Sequence, residues 1–94
     1  MNTYPLGSVI HVEAEFRDHH NTLIDPTDVI MKTKSPNGAQ KTYSGSDVIK
    51  ESVGLYYVAV STKNKPGFWI YRWEASGNVE VVAEGNFYIQ ESSA

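Results

Sequence analysis

The sequence predicts an all-β fold arranged as an antiparallel sandwich. Three observations carry that expectation: apolar and polar residues alternate at a period of two, turn-forming clusters recur at short intervals, and no stretch shows helical periodicity. The chain has 94 residues, and since domains run from about 50 to 250 residues a single domain over 1–94 is expected. A chain this short buries only about 60–65% of its unfolded surface, which leaves little material to wall a large internal active site.

The first strand spans Ser8 to Arg17, where Ile10, Val12, Ala14 and Phe16 alternate with His11, Glu13, Glu15 and Arg17. One face of it is therefore wet. Asp18-His19-His20-Asn21 ends it, and Asp25-Pro26-Thr27-Asp28 makes a second break in which Pro26 has no ladder donor. From Val29 the next strand sends Val29, Met31 and Thr33 one way and Ile30, Lys32 and Lys34 the other. Ser35-Pro36-Asn37-Gly38 then reads as a turn with Asn-Gly at its tip, leading back through Ala39–Tyr43 as a hairpin. After a loose Ser44–Asp47 segment come a short strand from Val48 to Glu51 and a stronger one from Leu55 to Val60, with Tyr56, Val58 and Val60 on one face. Lys63-Asn64-Lys65-Pro66-Gly67 is a basic turn, and Phe68–Glu74 follows with Trp69, Tyr71 and Trp73 sharing the core side. Ser76-Gly77-Asn78 turns the chain into a strand from Val79 to Ala83, and Gly85, Phe87 and Ile89 alternate with Asn86, Tyr88 and Gln90 in the last stretch. Seven to eight short strands result. At this length they fit two packed sheets of the immunoglobulin-like kind, with Val12, Phe16, Met31, Tyr56, Val58, Trp69, Tyr71 and Phe87 expected in the core.

Composition excludes several functions. Eight basic and eleven acidic side chains give a net charge of -3, which provides no footprint for nucleic acid or an anionic membrane. There is no cysteine, so neither disulfides nor thiolate metal sites are available, and neighbours in an assembly become an attractive source of stability. Apolar runs are far too short to cross a bilayer, and Met1-Asn2-Thr3-Tyr4-Pro5 has neither a basic nor an apolar leader region, so no export or lipid signal is expected there.

Candidate chemistry is sparse. His11, Glu13 and Glu15 share a strand face, with His19 and His20 at its end. Imidazole and carboxylate groups of this kind bind transition metals, but the spacing matches no zinc motif and a solvated strand face yields the same pattern. Asp25 and Asp28 offer oxygens that would suit calcium, yet Asp in such turns caps backbone without an ion. There is no Gly-x-Ser-x-Gly elbow, no Ser-x-x-Lys pair at Ser61-Thr62-Lys63-Asn64, and no Gly-rich phosphate loop. Neither catalytic, cofactor-binding nor metal-binding residues are expected. Tyr57 and Tyr88 fall on the wetter phase of their strands, where a protein contact suits them better than sugar or base stacking.

Tyr4-Pro5-Leu6-Gly7, Asp25-Pro26-Thr27, Ser35-Pro36-Asn37-Gly38, Gly54-Leu55-Tyr56, the run Lys65–Trp73 and Glu84-Gly85-Asn86-Phe87-Tyr88-Ile89 together resemble a group of small immunoglobulin-like proteins encoded among the virion structural genes of tailed bacteriophages and prophages. The resemblance covers almost the whole chain and brings no catalytic residues. It implies a virion component made in the host cytoplasm: a capsid (head) decoration or cement protein that binds the major capsid protein, other virion proteins or copies of itself. The alternatives are a neck, tail or fibre component, or an adhesion or glycan-binding module. A metal-dependent enzyme using His11 and Glu13 is the remaining class. The expected interface is Ile30, Tyr57, Phe68, Ile70 and Tyr88, all on the phase opposite the core. The loops 18–21 and 61–66 are the alternative contact sites, toward neighbours or host glycans.

Overall fold

The computed structural model describes residues 2–62, 65–77 and 81–91. Eight strands are described: β1 (Asn2–Pro5), β2 (Val9–Glu15), β3 (Asp28–Lys34), β4 (Gln40–Tyr43), β5 (Ile49–Ser52), β6 (Leu55–Ser61), β7 (Gly67–Ser76) and β8 (Val81–Gln90). They form a large sheet in the order β1-β8-β7-β3-β4 and a small one in the order β2-β6-β5. All pairings are antiparallel except β1 with β8. The chain changes sheet after β1, β2, β4 and β6, so hairpin partners share a sheet while the intervening connections cross the sandwich.

The core lies between the sheets because β2, β3, β6, β7 and β8 turn their apolar phase inward. Val12, Val58 and Val60 come from the small sheet, and Met31, Trp69, Trp73, Phe87 and Ile89 from the large one. Trp69 stacks on Phe87 with centroids 5.7 Å apart, and its indole Nε1 donates to the Lys65 carbonyl at 2.9 Å. Phe16 meets Trp73 edge-on across the gap at 6.2 Å. Each fully buried side chain of this size is worth about 1.5–3 kcal/mol against exposure. Tyr56 and Tyr71, expected in the core, are half-buried and pack against its rim. The Tyr56 hydroxyl donates to Asp25 at 3.0 Å, and the Tyr71 hydroxyl lies over Gly85.

Several local expectations are corrected. The β3–β4 turn places Pro36 and Asn37 at its centre: Gly38 N–H donates to the Ser35 carbonyl at 2.9 Å, and Gly38 follows in the left-handed region at φ +88. Fixed φ suits Pro36 to the first central position, and Gly38 supplies the bulge that returns the chain to register. Ser44–Asp47 contains a single 3-10 turn, Gly45–Asp47, instead of a loose loop. The short strand begins at Ile49. Asn2–Pro5 is a strand that the alternation did not suggest. The expected strand start at Val79 lies outside the described residues, and from Val81 one unbroken strand replaces two segments.

Candidate protein interface

The outer face of the large sheet is assembled from the non-core phase of β3, β7 and β8. Register sets these side chains in rows across the strands: Phe68 beside Tyr88, Ile70 between Lys34 and Asn86, Arg72 between Lys32 and Glu84, and Glu74 between Ile30 and Val82. Phe68 is 44% exposed, Tyr88 40%, Ile70 37% and Val82 56%, while Ile30 is half-buried. Apolar groups thus occupy both ends of the face. The middle is charged and internally paired: Glu74 Oε2 forms ion pairs with Arg72 Nε at 3.1 Å and with Lys32 Nζ at 3.3 Å. Exposed ion pairs of this kind contribute little to folding stability. At the Ile30–Val82 end a shallow depression of about 470 Å³ is bordered by Asp28, Glu74 and Ser76.

Four of the five expected interface residues share this face, and Tyr57 does not. It lies on the outer side of the small sheet, half-buried, between Glu13 of β2 and Ile49 of β5, with His11 stacked on its ring at 4.9 Å. Alternation within a strand fixes inside against outside, but the two sheets have outer faces on opposite sides of the molecule, so sharing a phase does not mean sharing a patch. Val82 lies with Ile30 at the other end of the same face and was not anticipated. Counting the period back from Tyr88 through Asn86 and Glu84 reaches it, once β8 is treated as one strand.

The titratable groups singled out in the sequence are dispersed. Glu15 pairs with Arg17, and His19 and His20 lie against each other in the turn after β2, ring centroids 4.0 Å apart. Asp25 is engaged structurally: its carboxylate accepts from Lys50 Nζ at 2.7 Å, Gly54 N–H at 2.9 Å and Tyr56 Oη at 3.0 Å. The Lys50 ammonium, followed by the Gly54 N–H, holds this carboxyl below its ordinary value of 3.8. Burial, and then the bond to that carboxylate, pushes the Tyr56 phenol above its ordinary 10.0. Asp28 opens β3 and is exposed. Among the described residues no three His, Asp or Glu side chains converge to hold a metal ion, and no helix is long and apolar enough to cross a membrane. The loop 18–21 is exposed apart from the half-buried Asp18, whose Oδ1 accepts from the backbone of His20 and Thr22. Residues 63–64 of the loop 61–66 lie outside the described residues. No family model matches the chain, and no curated protein matches it.

Proposed function

We propose that the chain is a non-catalytic protein-contact module with an immunoglobulin-like sandwich fold, serving in a tailed-bacteriophage particle as a capsid (head) decoration or cement protein that grips the coat through the outer face of its large sheet. The observation that carries this reading is the exposed set Phe68, Ile70, Val82 and Tyr88 on one sheet face. Several large apolar groups on one face are what a protein contact requires, whereas isolated ones need no explanation. The strand order, with β1 parallel to β8 at the edge of the large sheet and β2-β6-β5 opposite it, supports the immunoglobulin-like assignment. Trp73 of β7 sits opposite Met31 of β3, so the core is filled without a disulfide. The sequence motifs supply the virion context, and the commitment of Asp25 to Lys50, Gly54 and Tyr56 favours a structural over a chemical role for that carboxylate.

The test is to locate the protein in purified particles by mass spectrometry and image reconstruction, and to compare particles with and without it. A cement protein leaves particles that lack it less resistant to heat and osmotic shock. Ile70→Asp, which places a charge in the face without touching the core, is expected to release the protein from particles while its own melting is retained. Loss of host adsorption with robustness unchanged would replace the coat by a host receptor as partner. Absence from the particle would reject the reading.

A further inference from the structure

A sheet edge is a row of unpaired backbone donors and acceptors, and folded proteins blunt such edges with short strands, proline, lysine or bulges. Three of the four edges here are blunted in this way. β1 is four residues long and ends at Pro5, β4 is four residues long and carries Lys41, and β5 is four residues long with a register shift between Lys50 and Ser52. β2 is different: seven residues, Val9–Glu15, with no proline, glycine, lysine or bulge, charged only at Glu13 and Glu15, and among the described residues paired only on its β6 side.

The backbone groups that β2 leaves open follow from its hydrogen bonds. Ser8 lies opposite Thr62, whose N–H donates to the Ser8 carbonyl at 3.4 Å, and Phe16 N–H donates to the Gly54 carbonyl at 2.8 Å. Opposed residues of an antiparallel pair alternate between bonded and non-bonded. Ile10, Val12 and Ala14 therefore turn their backbone toward β6, and Val9, His11, Glu13 and Glu15 turn theirs outward. The same four residues carry the side chains of the outer face, while Ile10 and Val12 point into the core. Next to this edge lies an open groove of about 370 Å³, lined by Tyr4, Ile10, Val12 and Tyr71 together with the polar His11, Glu13 and Asn86.

We infer that this edge is a self-association site, at which two copies of the chain join antiparallel β2 strands across a two-fold axis at Val12. In this register His11 faces Glu13 of the partner subunit, Val9 faces Glu15 of the partner subunit, and the relation repeats reciprocally, as a two-fold interface requires. All seven residues of β2 are used, and the outward backbone groups form about eight hydrogen bonds. Each imidazole meets a carboxylate on the outer face, and Val12 meets its own copy on the core side. A shift of two residues either way shortens the overlap to 9–13 or 11–15, and sets His11 against His11 or Glu13 against Glu13. Charge and length thus select one register. This edge is separate from the outer face of the large sheet, so the pairing stands or falls independently of the proposed coat contact.

Sedimentation equilibrium of the purified chain is expected to show a dimer with a dissociation constant below ~1 mM. Glu13→Pro removes an outward N–H and no bond to β6. It is expected to give a monomer that retains the melting of the wild-type monomer. Glu13→Lys, which leaves the backbone untouched, is expected to weaken dimerisation by roughly tenfold through its two symmetric contacts. In an oxidised mixture of the single variants His11→Cys and Glu13→Cys, mixed disulfide dimers are expected to exceed either homodimer by about tenfold, because only the mixed pair meets the Cα separation a disulfide needs. A chain that stays monomeric throughout that range, a dimer indifferent to both Glu13 variants, or homodimers as abundant as mixed ones would overturn the inference.

Discussion

Gly85 and Tyr71 face each other across β7 and β8, and this pair offers a sharp test of the packing at the sandwich rim. A Cβ added at Gly85 would lie 2.3 Å from the Tyr71 hydroxyl, 2.4 Å from Cζ and 2.9 Å from Cε1, where ordinary carbon contacts are about 3.5–4.0 Å. The ring therefore lies across the glycine, covering backbone that has no side chain of its own, and it also stacks on Phe87 at 6.3 Å. In Gly85→Ala the ring must swing off Phe87. Overpacking of this kind costs about 1–3 kcal/mol, offset by the roughly 0.5–1 kcal/mol that alanine gains over glycine in a strand interior. The net expectation is a loss of about 1 kcal/mol and at most about 2.5 kcal/mol, which at about 4–8 °C per kcal/mol for a domain of this size is readily measured. Tyr71→Ala alone is expected to cost about 1–2 kcal/mol, since the ring is only half-buried. With the ring gone, Gly85→Ala should reverse sign and stabilise by about 0.5–1 kcal/mol. Urea titrations of the two single variants and the double variant, followed by the fluorescence of Trp69 and Trp73, give the cycle directly. If Gly85→Ala is neutral or stabilising in the wild-type background, or equally harmful with and without Tyr71, the ring does not depend on the glycine and the reasoning fails.

Further expectations concern the buried indole and the Asp25 clamp. Trp69→Ala is expected to cost about 3–5 kcal/mol out of roughly 5–14 kcal/mol available to a chain of this size. Trp69→Phe keeps the stack on Phe87 but orphans the Lys65 carbonyl and should lose about 1–2 kcal/mol; a wild-type urea midpoint for Trp69→Ala would contradict its core placement. The Asp25 carboxyl is lowered in the folded state from its ordinary value of 3.8, so its contribution is present above that unfolded value and lost as pH falls through the folded one. Asp25→Asn should therefore be less stable than wild type near neutrality and converge with it in acid, as followed by circular dichroism; parallel pH profiles would refute the clamp. Tyr56 is shifted upward, so its contribution is present below about 10 and disappears as pH rises through the raised value. Tyr56→Phe should flatten the alkaline limb of the same profile.

The period of two was enough to locate β2, β3, β6 and β7 and to sort Val12, Met31, Val58 and Trp69 into the core, because burial of one face imposes that pattern directly on the sequence. β1 was illegible for the opposite reason. Its four residues, Asn2–Pro5, are too few to alternate visibly, and it is held by a parallel pairing with β8 at the far end of the chain, which no local pattern encodes. The candidate interface was legible only within each strand. Phe68, Ile70 and Tyr88 fell together because β7 and β8 are hairpin neighbours, with Phe68 directly beside Tyr88. Tyr57 was grouped with them although β6 belongs to the other sheet; phase says which side of its own sheet a residue faces, and sheet membership is decided by crossovers that alternation does not record. The edge of β2 was harder still. Val9, His11, Glu13 and Glu15 read as an ordinary wet face, and only the absence of a strand beyond β2 among the described residues, with the bonding parity fixed at Ser8 and Phe16, distinguishes an open row of backbone groups from a paired one. A sequence records burial residue by residue, whereas an edge is defined by a neighbour that is missing, so surfaces of this second kind emerge only once every strand has been assigned its partners.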